Sequence, residues 1–165
     1  MMVTYLCVVQ LSSRQEIQIL HVDDDPSIVN LTGTFLERED DRFTIETATS
    51  ADEGLERIHD RPPDCVVSDY NMPGTDGIEF LRALRKEHPN LPFILFTGKG
   101  SEEVAGDALR AGATDYIQKQ SGSEQYELLA NRIENAVSQS LVVRSGSRDR
   151  LLTHSGQHQT TESVV

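Results

Sequence analysis

Asp69 stands where a short apolar run, Cys65-Val66-Val67-Ser68, gives way to a loop that begins Tyr70-Asn71-Met72-Pro73-Gly74. A carboxylate at the junction between a buried strand and a polar turn is placed for chemistry more readily than for packing. Upstream, Asp23-Asp24-Asp25 closes another apolar run, Ile17 to Val22; downstream, Thr97 ends the run that starts at Phe93, and Lys119 follows Tyr116-Ile117-Gln118. Carboxylates gathered within a few ångströms are costly, since two like charges about 4 Å apart repel by about 4 kcal/mol at an effective dielectric near 20. Either one of them holds a proton or a cation sits among them. Hard oxygen ligands in a partly open site suit Mg²⁺, which keeps several waters and is held by one or two carboxylates while bridging phosphate oxygens. Calcium is disfavoured, because no loop of D-x-D-x-D-G spacing is present. Beside such an ion, the Thr97 hydroxyl and the Lys119 ammonium suit attack by Asp69 on a phosphoryl donor, whose charge spreads over three equatorial oxygens.

This chemistry requires residues far apart in sequence to meet. Five apolar runs of strand length, Ile17–Val22, Phe43–Ala48, Cys65–Asp69, Phe93–Thr97 and Asp115–Gln118, alternate with amphipathic stretches of helix length, the pattern of repeated βα units around a parallel sheet. In such sheets ligands bind at the carboxyl ends of the strands, which is where Asp23, Asp24, Asp69, Thr97 and Lys119 all fall. The predicted helices carry recognisable ends. Pro26 opens the first, ahead of Ile28, Val29, Leu31, Phe35 and Leu36. Ser50 caps the second, with Glu53 completing a capping box. Asp76 or Gly77 opens the third, with Ile78, Phe80, Leu81 and Leu84 facing inward. Ser101 caps the fourth and Gly112 stops it. The fifth starts near Ser123 and turns Leu128, Leu129, Ile133 and Val137 toward the sheet.

The chain has 165 residues, enough for one domain with a substantial core, and a formal net charge of −12. With no Lys/Arg run, the surface repels phosphate backbones, so direct nucleic-acid binding is not expected. The two cysteines, Cys7 and Cys65, cannot form a disulfide framework, so a reducing compartment is the default. Met1 to Leu11 is fairly apolar but has no basic leader and is too short to span a bilayer. The expected organisation is therefore an N-terminal extension over 1–16, a folded domain over 17–140, and a polar, structureless tail over 141–165.

Taken together, Ile19-Leu20-His21-Val22-Asp23-Asp24-Asp25-Pro26, Asp69-Tyr70-Asn71-Met72-Pro73, Thr97-Gly98 and Asp115-Tyr116-Ile117-Gln118-Lys119 resemble the receiver domain of two-component response regulators, over about Ile17 to Val137. The resemblance implies a flavodoxin-like, doubly wound α/β fold with a five-stranded parallel sheet of order 2-1-3-4-5. It implies Asp69 as phosphoacceptor, Asp24 as a direct Mg²⁺ ligand with the backbone carbonyl of Asn71, and Asp23 acting through water. Asp25 fills a more variable acidic position. Thr97 and Lys119 would bind the phosphoryl group, and Tyr116 would reorient when Thr97 is drawn inward. Implied partners are a sensor histidine kinase and a downstream protein target reached through the fourth helix, fifth strand and fifth helix, with a phosphorylation-dependent homodimer left open. The implied setting is cytoplasmic, in a stand-alone switch that promotes only its own phosphorylation and dephosphorylation. The acidic composition and the stretch Phe96 to Lys119 are similar to receivers of salt-adapted archaea.

One position departs from the pattern: Gln120 stands where many receivers have a proline on a cis bond, and a trans bond is expected here, because a non-proline cis bond costs about 2.5–4 kcal/mol. Gly98 leaves no side chain over Asp69, so hydrolytic water is expected to enter freely. Two other functions compete. A haloacid-dehalogenase-like phosphatase would use Asp23 and Asp25 as its D-x-D, but it also needs an acidic pair after the lysine, and only scattered acidic residues such as Glu124, Glu127 and Glu134 follow Lys119. A pseudo-receiver would bind partners without phosphorylation, against which the complete Asp, Thr and Lys set argues. Simpler roles are a turn-forming Asp69, a capping Asp25, a packing Tyr116, a satisfied core His21, and solvated His154 and His158. Gly98-Lys99-Gly100-Ser101 is a poor phosphate loop, because Phe93 occupies the place of its first glycine.

Overall fold

In the computed structural model, which describes residues 15–98, 100 and 102–152, each apolar run becomes a strand and each amphipathic stretch a helix. The order is β1 (Ile17–Val22), α1 (Pro26–Glu39), β2 (Phe43–Ala48), α2 (Ala51–Asp60), β3 (Cys65–Ser68), α3 (Gly77–Glu87), β4 (Phe93–Thr97), α4 (Glu102–Arg110), β5 (Asp115–Gln118) and α5 (Glu124–Leu152). All neighbouring strands pair in parallel, in the order β2-β1-β3-β4-β5. The first crossover therefore runs to one side of β1 and the later ones to the other, which opens a crevice at the carboxyl ends of β1 and β3.

Side chains of a strand alternate between the two faces, and the helices cover both. Leu20, Val22, Val66, Phe93 and Leu95 pack under α2, α3 and α4, with Ile58, Phe80, Leu81, Leu84 and Ala108 from the helices. Ile17, Ile19, Cys65, Val67, Ile94 and Phe96 pack under α1 and α5, with Leu36, Tyr126, Leu129, Ile133 and Val137. β3 and β4 are buried throughout, as their unbroken apolar sequence predicts. Aromatic contacts fix the layers: Phe80 meets Phe93 edge to face at 5.6 Å, and Phe35 stacks on Tyr126 at 4.6 Å. Arg42 ties the α1–β2 turn to α5 by pairing with both Asp40 (2.6 Å) and Glu134 (2.8 Å).

Several local expectations need correction. β3 ends at Ser68 and leaves Asp69 as the first residue beyond it. The Ser50–Glu53 box is only half formed: Ser50 Oγ accepts from the Glu53 N–H, but the Glu53 carboxylate accepts from the N–H and hydroxyl of Thr49 instead. The complete box joins Asp76 and Glu79 at the start of α3. Leu31 and Leu128 are about half exposed (51% and 43%), because Val29, Leu36 and Leu129, Ile133, Val137 already occupy the inward faces. The end of regular structure expected at 141 lies later, since α5 runs to Leu152. Residues 141–146 are exposed. Gly146, which costs only about 1 kcal/mol relative to alanine inside a helix, does not stop the helix. The expected cap Ser101, residues 1–14 of the expected extension over 1–16, and the tail from 153 on, with His154 and His158, lie outside the described residues.

His21 is buried, as expected, but neither ring nitrogen makes a well-formed hydrogen bond, and the same holds for the buried hydroxyl of Thr32 on α1. Burial, with the Lys119 charge adding to it, outweighs the opposing pull of Asp23 and of the nearby Val29 backbone and lowers the His21 pKa from 6.5 to about 4. The imidazole is therefore neutral in the folded protein at pH 7. A lowered folded-state pKa means that the unfolded chain binds the proton first, so stability is intact above pH 6.5 and falls as the pH drops toward 4. By linkage the loss at pH 5 is about 2 kcal/mol from this residue. His21→Leu should abolish this part of the acid destabilisation, seen as a smaller drop in the urea midpoint between pH 7 and pH 5 than in wild type.

Candidate functional site

Strand register builds the site. Val22 pairs with Ser68 at the end of β1 and β3, and one residue further the Asp69 N–H donates to the Val22 carbonyl at 2.9 Å. The Asp23 N–H donates likewise to the Ala48 carbonyl at 3.1 Å. The sheet ladder thus continues just past the strands and holds Asp23 beside Asp69. On the far side, Thr97 pairs with Gln118, and the Lys119 N–H donates to the Thr97 carbonyl at 2.9 Å. Thr97 is fully buried.

The side chains converge. Carboxylate oxygens of Asp23, Asp24 and Asp69 all lie within 4.8 Å of one another. Lys119 Nζ lies 2.8 Å from Asp23 Oδ2 and 3.9 Å from Asp69 Oδ1, with side-chain exposures of 17%, 1% and 13% respectively. The ammonium also stands 5.4 Å from the centre of the Phe96 ring, a favourable cation–π placement. Asp23 has little left to offer, since Oδ2 takes the lysine and Oδ1 accepts from the Asp25 N–H at 3.0 Å. Asp24 is exposed and lines an open cavity of about 400 Å³ with Tyr70, Asn71, Met72, Pro73 and Asp76. Asp25 does not join the cluster; it caps α1 by accepting from the Ser27 N–H at 2.9 Å.

Of the residues singled out in the sequence, Asp23, Asp24, Asp69 and Lys119 are brought together directly, Asn71 lines the adjoining cavity, and Thr97 closes the β4 end. Tyr116 lies on β5, partly buried, its ring packed against the α2–α3–α4 side of the core. The oxygen set suits a small hard cation: one exposed carboxylate, one partly exposed, and a third already engaged and fit to act through water.

Three supporting residues were not legible as such. At Gly77 an added methyl would overlap the Asp69 carbonyl oxygen and lie 2.8 Å from Leu95 Cδ1 and 3.1 Å from Tyr70 Cα. The bare Cα lets the start of α3 press against the loop carrying Asp69, where the Gly77 N–H donates to the Tyr70 carbonyl at 2.9 Å. Gln120, in place of a proline, sits on a trans bond, and its N–H, which proline lacks, donates to Gln125 Oε1 at 3.1 Å. Gln125 in turn donates to the Gly122 carbonyl at 2.9 Å, so these two glutamines brace the entry to α5. The Asp-Gly helix-start signal hinted at Gly77 and the missing proline drew attention to Gln120, but nothing local marked its bond to Gln125.

Comparison with known proteins gives one consistent answer. The model of the response regulator receiver domain matches residues 19–131. The nitrogen assimilation regulatory protein NtrX of Azorhizobium caulinodans is 34% identical over 116 residues, covering 69% of this chain but 25% of that protein; the chain thus spans about a quarter of that relative's length. A crystal structure of a receiver domain protein from Clostridium thermocellum superimposes with a TM-score of 0.69 at 29% identity, covering 77% of this chain and 98% of that one. A CheY-like receiver domain protein from Methanospirillum hungatei gives 0.68 at 31%, covering 76% and 97%. Among the described residues no helix is long and apolar enough to cross a membrane.

The crowded carboxylates generate a measurable expectation. Mg²⁺ at ten times its dissociation constant should stabilise the fold by about 1.4 kcal/mol, a rise in Tm of about 5 °C for a domain of this size. Asp24→Asn should melt higher than wild type without metal, because a repulsive charge is gone, and should lose most of the Mg²⁺ response in a thermal-shift titration.

Proposed function

The chain belongs to the family of response regulator receiver domains, and on that premise we propose that it is a phosphorylation switch of a two-component system, with Asp69 as the residue that accepts the phosphoryl group from a histidine kinase. The observation that carries this reading is the placement of Lys119 Nζ at 2.8 Å from Asp23 and 3.9 Å from Asp69, beside the exposed Asp24. Asp24, Asp69 and the Asn71 carbonyl would hold Mg²⁺, with Asp23 acting through water. When bound, the ion would neutralise charge on the phosphoryl oxygens.

The chain's own groups do the rest. An Asp69 carboxylate oxygen attacks phosphorus, the bond from phosphorus to the donor imidazole nitrogen breaks, and the imidazole leaves with the electron pair. Asp69 Oδ1 is oriented by the Tyr70 N–H at 2.8 Å, which leaves Oδ2 as the attacking atom. Lys119 then moves its charge from Asp23 toward the new phosphoryl oxygens, over a gap that its flexible stem spans readily. The Thr97 hydroxyl donates to the same group, and the inward pull on the β4–α4 connection reaches Tyr116. α4 is suited to respond, because Ala108 is its one buried residue among those described. The readout face is α4, β5 and α5, where Asp107–Arg110 and Asp115–Arg132 pairs display charge to a protein target.

A phosphatase with Asp23 as nucleophile is disfavoured by the same geometry: Asp23 is locked on both oxygens, and Asp25, its D-x-D companion, is occupied at the α1 cap.

Incubation with Mg²⁺ and acetyl phosphate should add one phosphoryl group, read as a mass shift, and Asp69→Asn should abolish it. Labelling that survives in that variant sinks the assignment. Gly98 is exposed, and among the described residues a Cβ added there would make only ordinary contact with the Lys119 stem, at 3.9 Å. Gly98→Val should therefore fold normally and slow loss of the label several-fold by screening water from the acyl phosphate; a shorter lifetime than wild type would refute the open-mouth account.

A further inference from the structure

The hydroxyl of Tyr116 occupies the space where residue 100 would carry a side chain. A methyl added to Gly100 would overlap the Tyr116 hydroxyl and lie 2.7 Å from Cζ and 3.6 Å from Cε2 of the same ring, with no other residue among its three nearest atoms. Contacts this close do not survive, so one partner must move. Gly74, Gly112 and Gly122 take positive φ, whereas at Gly100 the observed obstacle to a side chain is the tip of one tyrosine.

That tip is able to leave. Tyr116 sits on the edge strand β5, partly buried, and burial raises the pKa of its hydroxyl above the ordinary value. Rotation about its first side-chain torsion would move the ring from the Gly100 surface to solvent at the sheet edge without disturbing the paired backbone, in which Tyr116 lies opposite Leu95.

We propose that Gly100 is a positioning residue for Tyr116: its lack of a side chain creates the seat that the tyrosine hydroxyl occupies, and the identity of residue 100 sets how much of the time the ring is seated. The consequence for signalling rests on the reading of Tyr116 as the aromatic that follows Thr97; the seat itself does not. A residue with a Cβ at 100 unseats the ring with or without phosphorylation, and so uncouples Tyr116 from the state of Asp69 while leaving the phosphoryl chemistry intact.

The test uses the full chain labelled with 3-fluorotyrosine and observed by fluorine NMR, with the Tyr116 resonance assigned from its loss in Tyr116→Phe. In wild type this resonance should move on adding Mg²⁺ and beryllium fluoride, a phosphoryl mimic. In Gly100→Ala it should sit close to the shift of free fluorotyrosine, with a solvent isotope effect to match, and should move no further with the mimic. Labelling of Asp69 by acetyl phosphate should stay within about twofold of wild type, as expected of a substitution outside the reacting groups. A Tyr116 resonance unchanged by Gly100→Ala overturns the proposal. If that variant melts lower, the pair Tyr116→Ala and Gly100→Ala/Tyr116→Ala decides: equal melting temperatures support the seat, whereas a further drop in the double variant overturns it. If the resonance moves as expected but Asp69 takes no label in wild type either, the seat stands and the phosphoryl reading falls.

Discussion

Crowding of like charge at the ends of β1 and β3 is the constraint around which the molecule is arranged. Asp23, Asp24 and Asp69 share a space only a few ångströms wide, and the fold supplies a single ammonium, Lys119, in ion-pair contact with them among the described residues. Everything that keeps this arrangement in place lies beneath it. Parallel pairing of β1 with β3 fixes the separation of the carboxylates, and the pairing of β4 with β5 brings the lysine across from the far side of the sheet. Two apolar layers hold those strands flat enough for three different strand ends to reach one point. The charge cluster destabilises, and burial on both faces of β3 and β4 offsets it.

The same layers explain why glycine recurs around the site. Where backbone approaches backbone, as α3 does to the Asp69 loop at Gly77, a methyl group would have to displace main chain, which cannot yield. Where a glycine faces a side-chain tip, as Gly100 faces Tyr116, the neighbour can swing away. One glycine is therefore architectural and the other adjustable, although both look alike in sequence.

The strands were readable from unbroken apolar runs, as in β3 and β4, and the residues that meet at the carboxylate cluster from acidic or basic positions directly after strands, whereas the order of the sheet came from the family resemblance. The errors have physical sources. Leu128 was turned inward, and Leu31 counted in the apolar stripe, on helical spacing, but the arc of a helix that faces a sheet is filled by the residues best aligned with it, and Leu129 and Val29 took it. Glu53 matched a capping box and instead found Thr49 and Arg57, since a flexible carboxylate has several nearby donors. His21 was expected to be satisfied, but no spacing rule shows whether a partner will reach a buried ring. The brace of Gln120 on Gln125 was hidden for a similar reason, because it depends on the path of the turn between β5 and α5.

α5 gives the fold a length out of proportion to its thickness. Twenty-nine helical residues at 1.5 Å each reach about 44 Å, and the stretch beyond Val137, the last of the described residues of this helix in the core, accounts for about 22 Å of it. An unbroken helix behaves as a stiff rod on this scale, so a tilt of about 5° in the packed portion carries its end sideways by about 2 Å. Such a displacement is as large as a change of side-chain packing, yet it is delivered well away from the carboxylate cluster, by geometry alone.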